Sequence, residues 1–192
     1  MKTSDIPRFS YHDINENVSN LLQKTTPKNV LEVGVGLGNS TFNILDNILD
    51  TCQVTSIDKF IFKPEKYRID LIKRCKLFYK KAQSDLVIIN DTYEHYDLYK
   101  WCVMQHNKSK NLSVISADID EYILNEKNNF DFVYLDSHRH LPKLKNQLNF
   151  FKSSNVVCGT GFLYKHNKRD IKQFIKENKK TSFVDEDFWA IT

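Results

Sequence analysis

The chain lacks any apolar run long enough to span a membrane. Its opening residues, Met1-Lys-Thr-Ser-Asp-Ile-Pro, lack the apolar core of a signal peptide. Cysteine is sparse: the 4 residues (Cys52, Cys75, Cys102 and Cys158) include no Cys-x-x-Cys pair. That pattern excludes a disulfide framework or a zinc ribbon and reads as free thiols in a reducing compartment, so a cytoplasmic location is expected. No internal repeat is present. The net charge of +4 is mildly basic, short of what a dedicated nucleic-acid binder carries. Glycine is scarce as well, with 5 in 192 residues, and three of them stand in one turn.

What is present suffices for one α/β domain: 192 residues with 41% hydrophobic content can bury a full core. The chain is organised around Val30-Leu-Glu-Val-Gly-Val-Gly-Leu-Gly-Asn-Ser-Thr41. A short β-branched run, Val30 to Val33, breaks into Gly34, Gly36 and Gly38. Asn39, Ser40 and Thr41 then stand where they can cap a helix carrying Phe42, Ile44, Leu45, Ile48 and Leu49. Strand, glycine turn and helix together aim unpaired helical N–H groups at whatever lies in the turn. A dinucleotide fingerprint requires Gly-x-Gly-x-x-Gly, but here the third glycine comes one residue early and Asn39 takes its place. A phosphate-binding loop is excluded because no Gly-Lys-Ser/Thr follows.

The phrase Leu31-Glu-Val-Gly-Val-Gly-Leu-Gly-Asn-Ser-Thr resembles the first motif of class I S-adenosylmethionine-dependent methyltransferases, and looks most like their small O-methyltransferase (methyltransferase type 24) branch. The resemblance implies that Glu32 lies near the methionine amino end of the cofactor and that Gly34, Gly36, Gly38 and Ser40 line its turn. One βαβ step later, Cys52-Gln-Val-Thr-Ser-Ile-Asp58 is short, β-branched and ends on an acid. An acid at that strand end faces the crevice of an open parallel sheet. In the resembled family it holds the cofactor ribose.

Leu112-Ser-Val-Ile-Ser-Ala-Asp118 reads as a third strand. Asp118 either borders an adenine pocket, as the resemblance implies, or caps the next helix, or does both. Phe130-Asp-Phe-Val-Tyr-Leu-Asp136 reads as the fourth strand, followed by Ser137-His-Arg-His140. This resembles the fourth motif of the same family and makes Asp136 the candidate group beside the transferred methyl. His138 or His140 is the candidate proton acceptor. Asn155-Val-Val-Cys-Gly-Thr-Gly161 reads as the fifth strand. Metal-dependent O-methyltransferases carry Asp-Asp or Asp-Asn at its end. Thr160-Gly161 stands there instead, so no metal ligands are assigned and a divalent ion is not expected to be essential.

Helices are expected over Phe9–Lys24, Tyr67–Lys81, Leu141–Ser153 and Asn167–Asn178, with a closing strand pair at Thr181–Val184 and Phe188–Ile191. The stretch from Lys59 to Lys110 is longer than a crossover requires. With Tyr93, His95, Tyr96, Tyr99, Trp101 and His106, it reads as an insertion: a substrate lid, a homodimer surface or an added helical subdomain.

The expected fold is a single doubly wound, Rossmann-like methyltransferase domain over residues 1–192. The resemblance implies seven strands, the last two an antiparallel hairpin, with a helical insertion after the second strand. The expected cofactor is S-adenosylmethionine and the expected acceptor a small hydroxylated molecule, a sugar or a phenolic compound. No membrane partner is expected. Two alternatives stand beside this reading. One is an RNA 2′-O-methyltransferase using Lys28, Asp136, Lys165 and Glu186, which would make nucleic acid the partner. The other is a methyltransferase-fold binding subunit without catalysis.

Overall fold

A computed structural model of the chain describes residue 6 and residues 15–61, 95–136 and 144–192. The expected helix over Tyr67–Lys81 lies outside these residues.

The elements run α1 (Asn15–Thr25), β1 (Asn29–Val33), α2 (Asn39–Asn47), β2 (Gln53–Asp58), α3 (His95–Val103), β3 (Leu112–Ser116), α4 (Ile119–Asn125), β4 (Phe132–Leu135), α5 (Leu144–Phe150), β5 (Val156–Gly159), α6 (Lys165–Asn178), β6 (Ser182–Asp185) and β7 (Phe188–Ile191). The strands form one seven-stranded sheet in the order β3-β2-β1-β4-β5-β7-β6. Five strands are parallel, and β7 runs antiparallel to both β5 and β6. The order reverses direction between β1 and β4. In open α/β sheets that switch point is where a crevice forms beyond the strand ends.

Strands covered on both faces need apolar side chains at nearly every position. Accordingly β4, Phe-Val-Tyr-Leu, is buried throughout, and so are β5 and β7. One face carries Val30, Val54, Phe132, Tyr134, Val156, Cys158, Phe188 and Ala190 against Val18 and Leu22 of α1 and Ile44 and Leu45 of α2. The other carries Leu31, Val33, Ile57, Val133, Leu135, Val157 and Trp189 against Ile119, Leu144, Leu148, Ile171 and Phe174 of α4, α5 and α6.

Two expectations change. The N-cap of α2 is Gly38, at φ 97, with no side-chain cap. The Ser40 and Thr41 hydroxyls are instead drawn to Glu32. The long stretch after β2 also divides. Its last part is α3, which among the described residues packs on the same face as α2. Tyr99 and Val103 cluster with Val35, with Phe60, Leu112 and Val114 packed against them. Trp101 is 9% exposed, so this part is core rather than an open contact surface. A polar strap after α3 ties it down further. His106 Nε2 lies 2.9 Å from Asp46 Oδ1, with its ring edge-on to Phe42. Asn111 Nδ2 donates to the carbonyls of Asp50 and Cys52.

Gly159 shows how tightly the strand ends pack. A Cβ there would sit 2.3 Å from the Leu135 carbonyl oxygen and 3.0 Å from Trp189 Cζ2. Leu135 is its partner in the β4–β5 ladder, so the obstacle is backbone and cannot step aside. Gly159→Ala is therefore expected to destabilise the fold by about 1–3 kcal/mol or more, read as a lower urea midpoint. An unchanged midpoint would mean that the two strand ends are further apart than described.

Candidate active site

The first strand delivers Glu32 to the face shared with α2 and α3, where it is fully buried. Its Oε1 accepts from Ser40 Oγ at 2.6 Å. Its Oε2 accepts from Thr41 Oγ1 and Ser56 Oγ, both at 2.7 Å. Tyr99 Oη stands 3.3 Å from Thr41 Oγ1 and brings α3 into the same cluster. Burial pushes the Glu32 carboxyl up from 4.5 to about 7, against the three hydroxyls that favour its anion. The sequence reading does not single out Ser56, and it names Tyr99 only among the aromatics of the expected insertion. The alternation of β2 places Ser56 beside Glu32, and only that pairing gives it a role.

The glycine turn leaves β1 directly above this cluster. Gly34, Gly36 and Gly38 all have positive φ, at 83, 51 and 97, which side chains with a Cβ rarely adopt. A Cβ on Gly38 would also meet Val103 Cγ1 at 3.3 Å, so α3 seats directly on the turn.

Asp58 closes the turn from the neighbouring strand. Its Oδ2 accepts from the Val35 amide at 2.9 Å and its Oδ1 from the Phe60 amide at 2.8 Å. One amide on each oxygen leaves the carboxylate further accepting capacity, and the residue is half-buried at the strand end. At the end of β3, Asp118 does cap α4, accepting from the Asp120 amide at 2.9 Å, while its other oxygen pairs with Lys59.

Asp136 stands past the end of β4, next to β1, with its amide donating to the Val33 carbonyl at 2.8 Å. Thr160 Oγ1 donates to Asp136 Oδ1 at 2.6 Å. Burial raises its carboxyl from 3.8 to about 6, and nearby Asp187 adds to the rise. Asp187 itself accepts from the amides of Gly161 and Leu163, which pins the loop after β5 to the β6–β7 turn. Trp189 Nε1 donates to the Thr160 carbonyl at 2.9 Å and fixes that loop from below. The sequence reading names Thr160 only as a departure from the metal-ligand pattern and gives Asp187 no role, yet both contact the loop that holds Asp136. The Thr160–Asp136 contact and the hold of the hairpin on that loop depend on which distant segments lie side by side.

Glu32, the glycines, Asp58, Asp118 and Asp136 thus gather around the ends of β1 to β4. His138 and His140 lie outside the described residues. Among the described residues no three His, Cys, Asp or Glu side chains come together as a metal site. No helix among them is long and apolar enough to cross a membrane. The set Lys28, Asp136, Lys165 and Glu186 does not assemble. Lys28 precedes β1 at the opposite end of the sheet from Asp136, and its amide donates to Asp131, ahead of β4.

This strand order and strand-end geometry define the class I methyltransferase fold. Solved structures that share the fold include O-methyltransferases. An O-methyltransferase from Bacillus cereus in complex with SAH is 16% identical with a TM-score of 0.59, matching 97% of this chain and 83% of its own. TomG from Streptomyces achromogenes, an O-methyltransferase involved in tomaymycin synthesis and crystallised with SAM, is 11% identical with a TM-score of 0.60, over 97% and 82%. A methyltransferase from Geobacter sulfurreducens is 10% identical with a TM-score of 0.62, over 97% and 80%. No protein-family model and no curated protein matches the chain.

The raised Glu32 carboxyl has a consequence for stability. Between pH 4.5 and about 7 the folded chain holds a proton that the unfolded chain has released. Stability from this group is therefore fully present below the unfolded value and is lost as pH rises towards about 7. The loss is on the order of 3 kcal/mol. Urea midpoints compared at about pH 5 and about pH 7.5 should show the parent losing more stability than Glu32→Gln, whose side chain does not titrate. Equal pH slopes would mean that Glu32 ionises at an ordinary value.

Proposed function

We propose that this chain is an S-adenosylmethionine-dependent methyltransferase that methylates an oxygen of a small hydroxylated molecule. The observation that carries the reading is the placement of Asp58 and Asp136 on either side of the glycine turn, at the switch point of a methyltransferase sheet. The SAH- and SAM-bound neighbours support the choice of cofactor.

The residues fit that cofactor. Asp58 retains lone pairs for ribose hydroxyls after serving two amides. Gly34 and Gly36 keep the turn free of Cβ atoms, and Gly38 and Ser40 anchor it to α3 and Glu32. Asp118, held by its capping bond and by Lys59, borders the region past β3. When bound, S-adenosylmethionine supplies a methyl group already activated by its sulfonium.

The chain's own work is to place the acceptor and take its proton. Asp136 orients the acceptor hydroxyl with one oxygen while Thr160 holds the other. With its carboxyl near 6, Asp136 is an anion at neutral pH and basic enough to share the leaving proton. His138 or His140, two and four residues further along the sequence, is the proposed proton acceptor. Thr160-Gly161 brings one hydroxyl and no carboxylate, which favours proton transfer by side chains over a bound divalent ion.

Two measurements test this reading. In isothermal titration, Asp58→Ala should weaken S-adenosylmethionine binding by about 1.5–3 kcal/mol, the scale of hydrogen bonds to a charged group. Unchanged affinity would remove Asp58 from the cofactor site, and tight binding of NADH would replace the cofactor altogether.

Asp136→Asn should melt and bind cofactor like the parent yet transfer methyl groups about 10²–10⁴-fold more slowly. In the parent, kcat/KM for small hydroxylated acceptors should fall as pH drops below about 6, where Asp136 takes up a proton. A variant with parental turnover would make Asp136 a structural residue. If neither protein methylates hydroxylated molecules or RNA, the non-catalytic binding subunit becomes the better reading.

A further inference from the structure

Tyr134 of β4 is fully buried, yet its hydroxyl makes no hydrogen bond among the described residues. Buried hydroxyls are almost always bonded, because an unpaired one is costly.

Strand geometry narrows the choice of partner. Phe132, Tyr134 and Asp136 follow one another at the two-residue spacing of a single sheet face. The ladders set Glu32 of β1 on one side of Tyr134 and Cys158 of β5 on the other. Helices α1 and α2 cover this face with Val18, Leu22, Ile44 and Leu45, whose side chains carry no acceptor. Burial pushes the Cys158 thiol well up, so it stays neutral and accepts weakly. Both Glu32 oxygens are engaged, one by Ser40 and the other by Thr41 and Ser56. Asp136 is the acceptor with room. Thr160 donates to its Oδ1, and its Oδ2 accepts no hydrogen bond among the described residues.

Tyr134 already stands close to that acceptor. Its hydroxyl favours the Asp136 anion, although it lies outside the geometry of a completed hydrogen bond. The influence is mutual. Burial raises the Tyr134 phenol most, and the Asp136 charge follows, ahead of Cys158 and Glu32. The phenol therefore keeps its proton, and its donor, at neutral pH. Asp187, from the β6–β7 turn, opposes the ionisation of Asp136.

We propose that Tyr134 is a positioning residue for Asp136, donating its buried hydroxyl to the carboxylate from within the β4 row while Thr160 donates from the end of β5. The inference rests on the reading of Asp136 as the group that orients the acceptor hydroxyl. One donor leaves a carboxylate free to rotate, whereas two from different directions fix its plane. The lone pairs that remain then face the crevice past the strand ends. The same two donors keep Asp136 ionised against its burial and the charge of Asp187.

Tyr134→Phe removes the hydroxyl and keeps the ring, so its thermal melt and S-adenosylmethionine affinity should match the parent. Two readouts should move. In the free protein, the Asp136 carboxyl followed by NMR should titrate about one pH unit above the parental midpoint of about 6, because the anion has lost a donor. In turnover of a hydroxylated acceptor, kcat should fall about tenfold with KM unchanged, and the acid limb of kcat/KM should rise with the carboxyl. A role in packing alone would move neither. An unmoved midpoint overturns the proposal, and so does a moved midpoint with parental kcat. If the parent transfers no methyl group while the midpoint still moves, the methyltransferase reading fails and the hold of Tyr134 on Asp136 stands. Should Tyr134→Phe not fold, tyrosine labelled at Cζ decides. The Tyr134 resonance of the parent should shift near pH 6 and stop shifting in Asp136→Asn. A resonance indifferent to Asp136 overturns the proposal.

Discussion

One buried carboxylate organises the glycine-turn end of this sheet. Glu32 leaves β1 inside the sheet-to-helix layer and collects hydroxyls from α2 and β2, with Tyr99 of α3 joining through Thr41. An isolated charge in such a place would be strongly disfavoured. Three short hydrogen bonds offset that cost and leave the carboxyl close to balance between its two forms at neutral pH. Because the partners come from separate elements, the glycine turn above them has a defined floor. A turn made of glycines would otherwise sample many conformations.

The proposed acceptor side is built differently. Asp136 rests on a contact with Thr160, and Thr160 is held in turn by Trp189 and by the loop that Asp187 ties down. The β6–β7 hairpin thus does more than close the sheet. Its turn fixes the end of β5, and β5 fixes the carboxylate that the proposed chemistry uses. Gly159 makes this possible by letting the Leu135 carbonyl and the Trp189 ring approach within van der Waals distance of one backbone position. Loosening the hairpin would therefore be felt at Asp136.

The local signals in the chain were strong where residue type alone decides backbone behaviour. The glycine turn, the acids at the strand ends and the apolar stripes of α1 and α6 were legible because a positive φ, a strand end and a helical face each restrict which residues serve. The capping role of Ser40 and Thr41 was misjudged for a physical reason. A hydroxyl near a helix start satisfies an amide when nothing better is near, but a buried carboxylate is a stronger acceptor. The aromatic stretch after β2 reads as an insertion with a lid, a homodimer surface or an added helical subdomain as alternatives. Aromatic content does not distinguish a lid from a crossover helix until the face it covers is known.

By itself the sequence determined the α/β alternation, the place of the glycine turn, and the acids that end β2, β3 and β4, because each follows from short-range pattern. Only the tertiary structure decided the strand order, the seating of α3 on Gly38 and the Thr160–Asp136 contact. Those depend on which distant segments lie side by side, and hydrogen-bond partners more than a hundred residues apart, such as Lys28 and Asp131, leave no periodic trace in the chain.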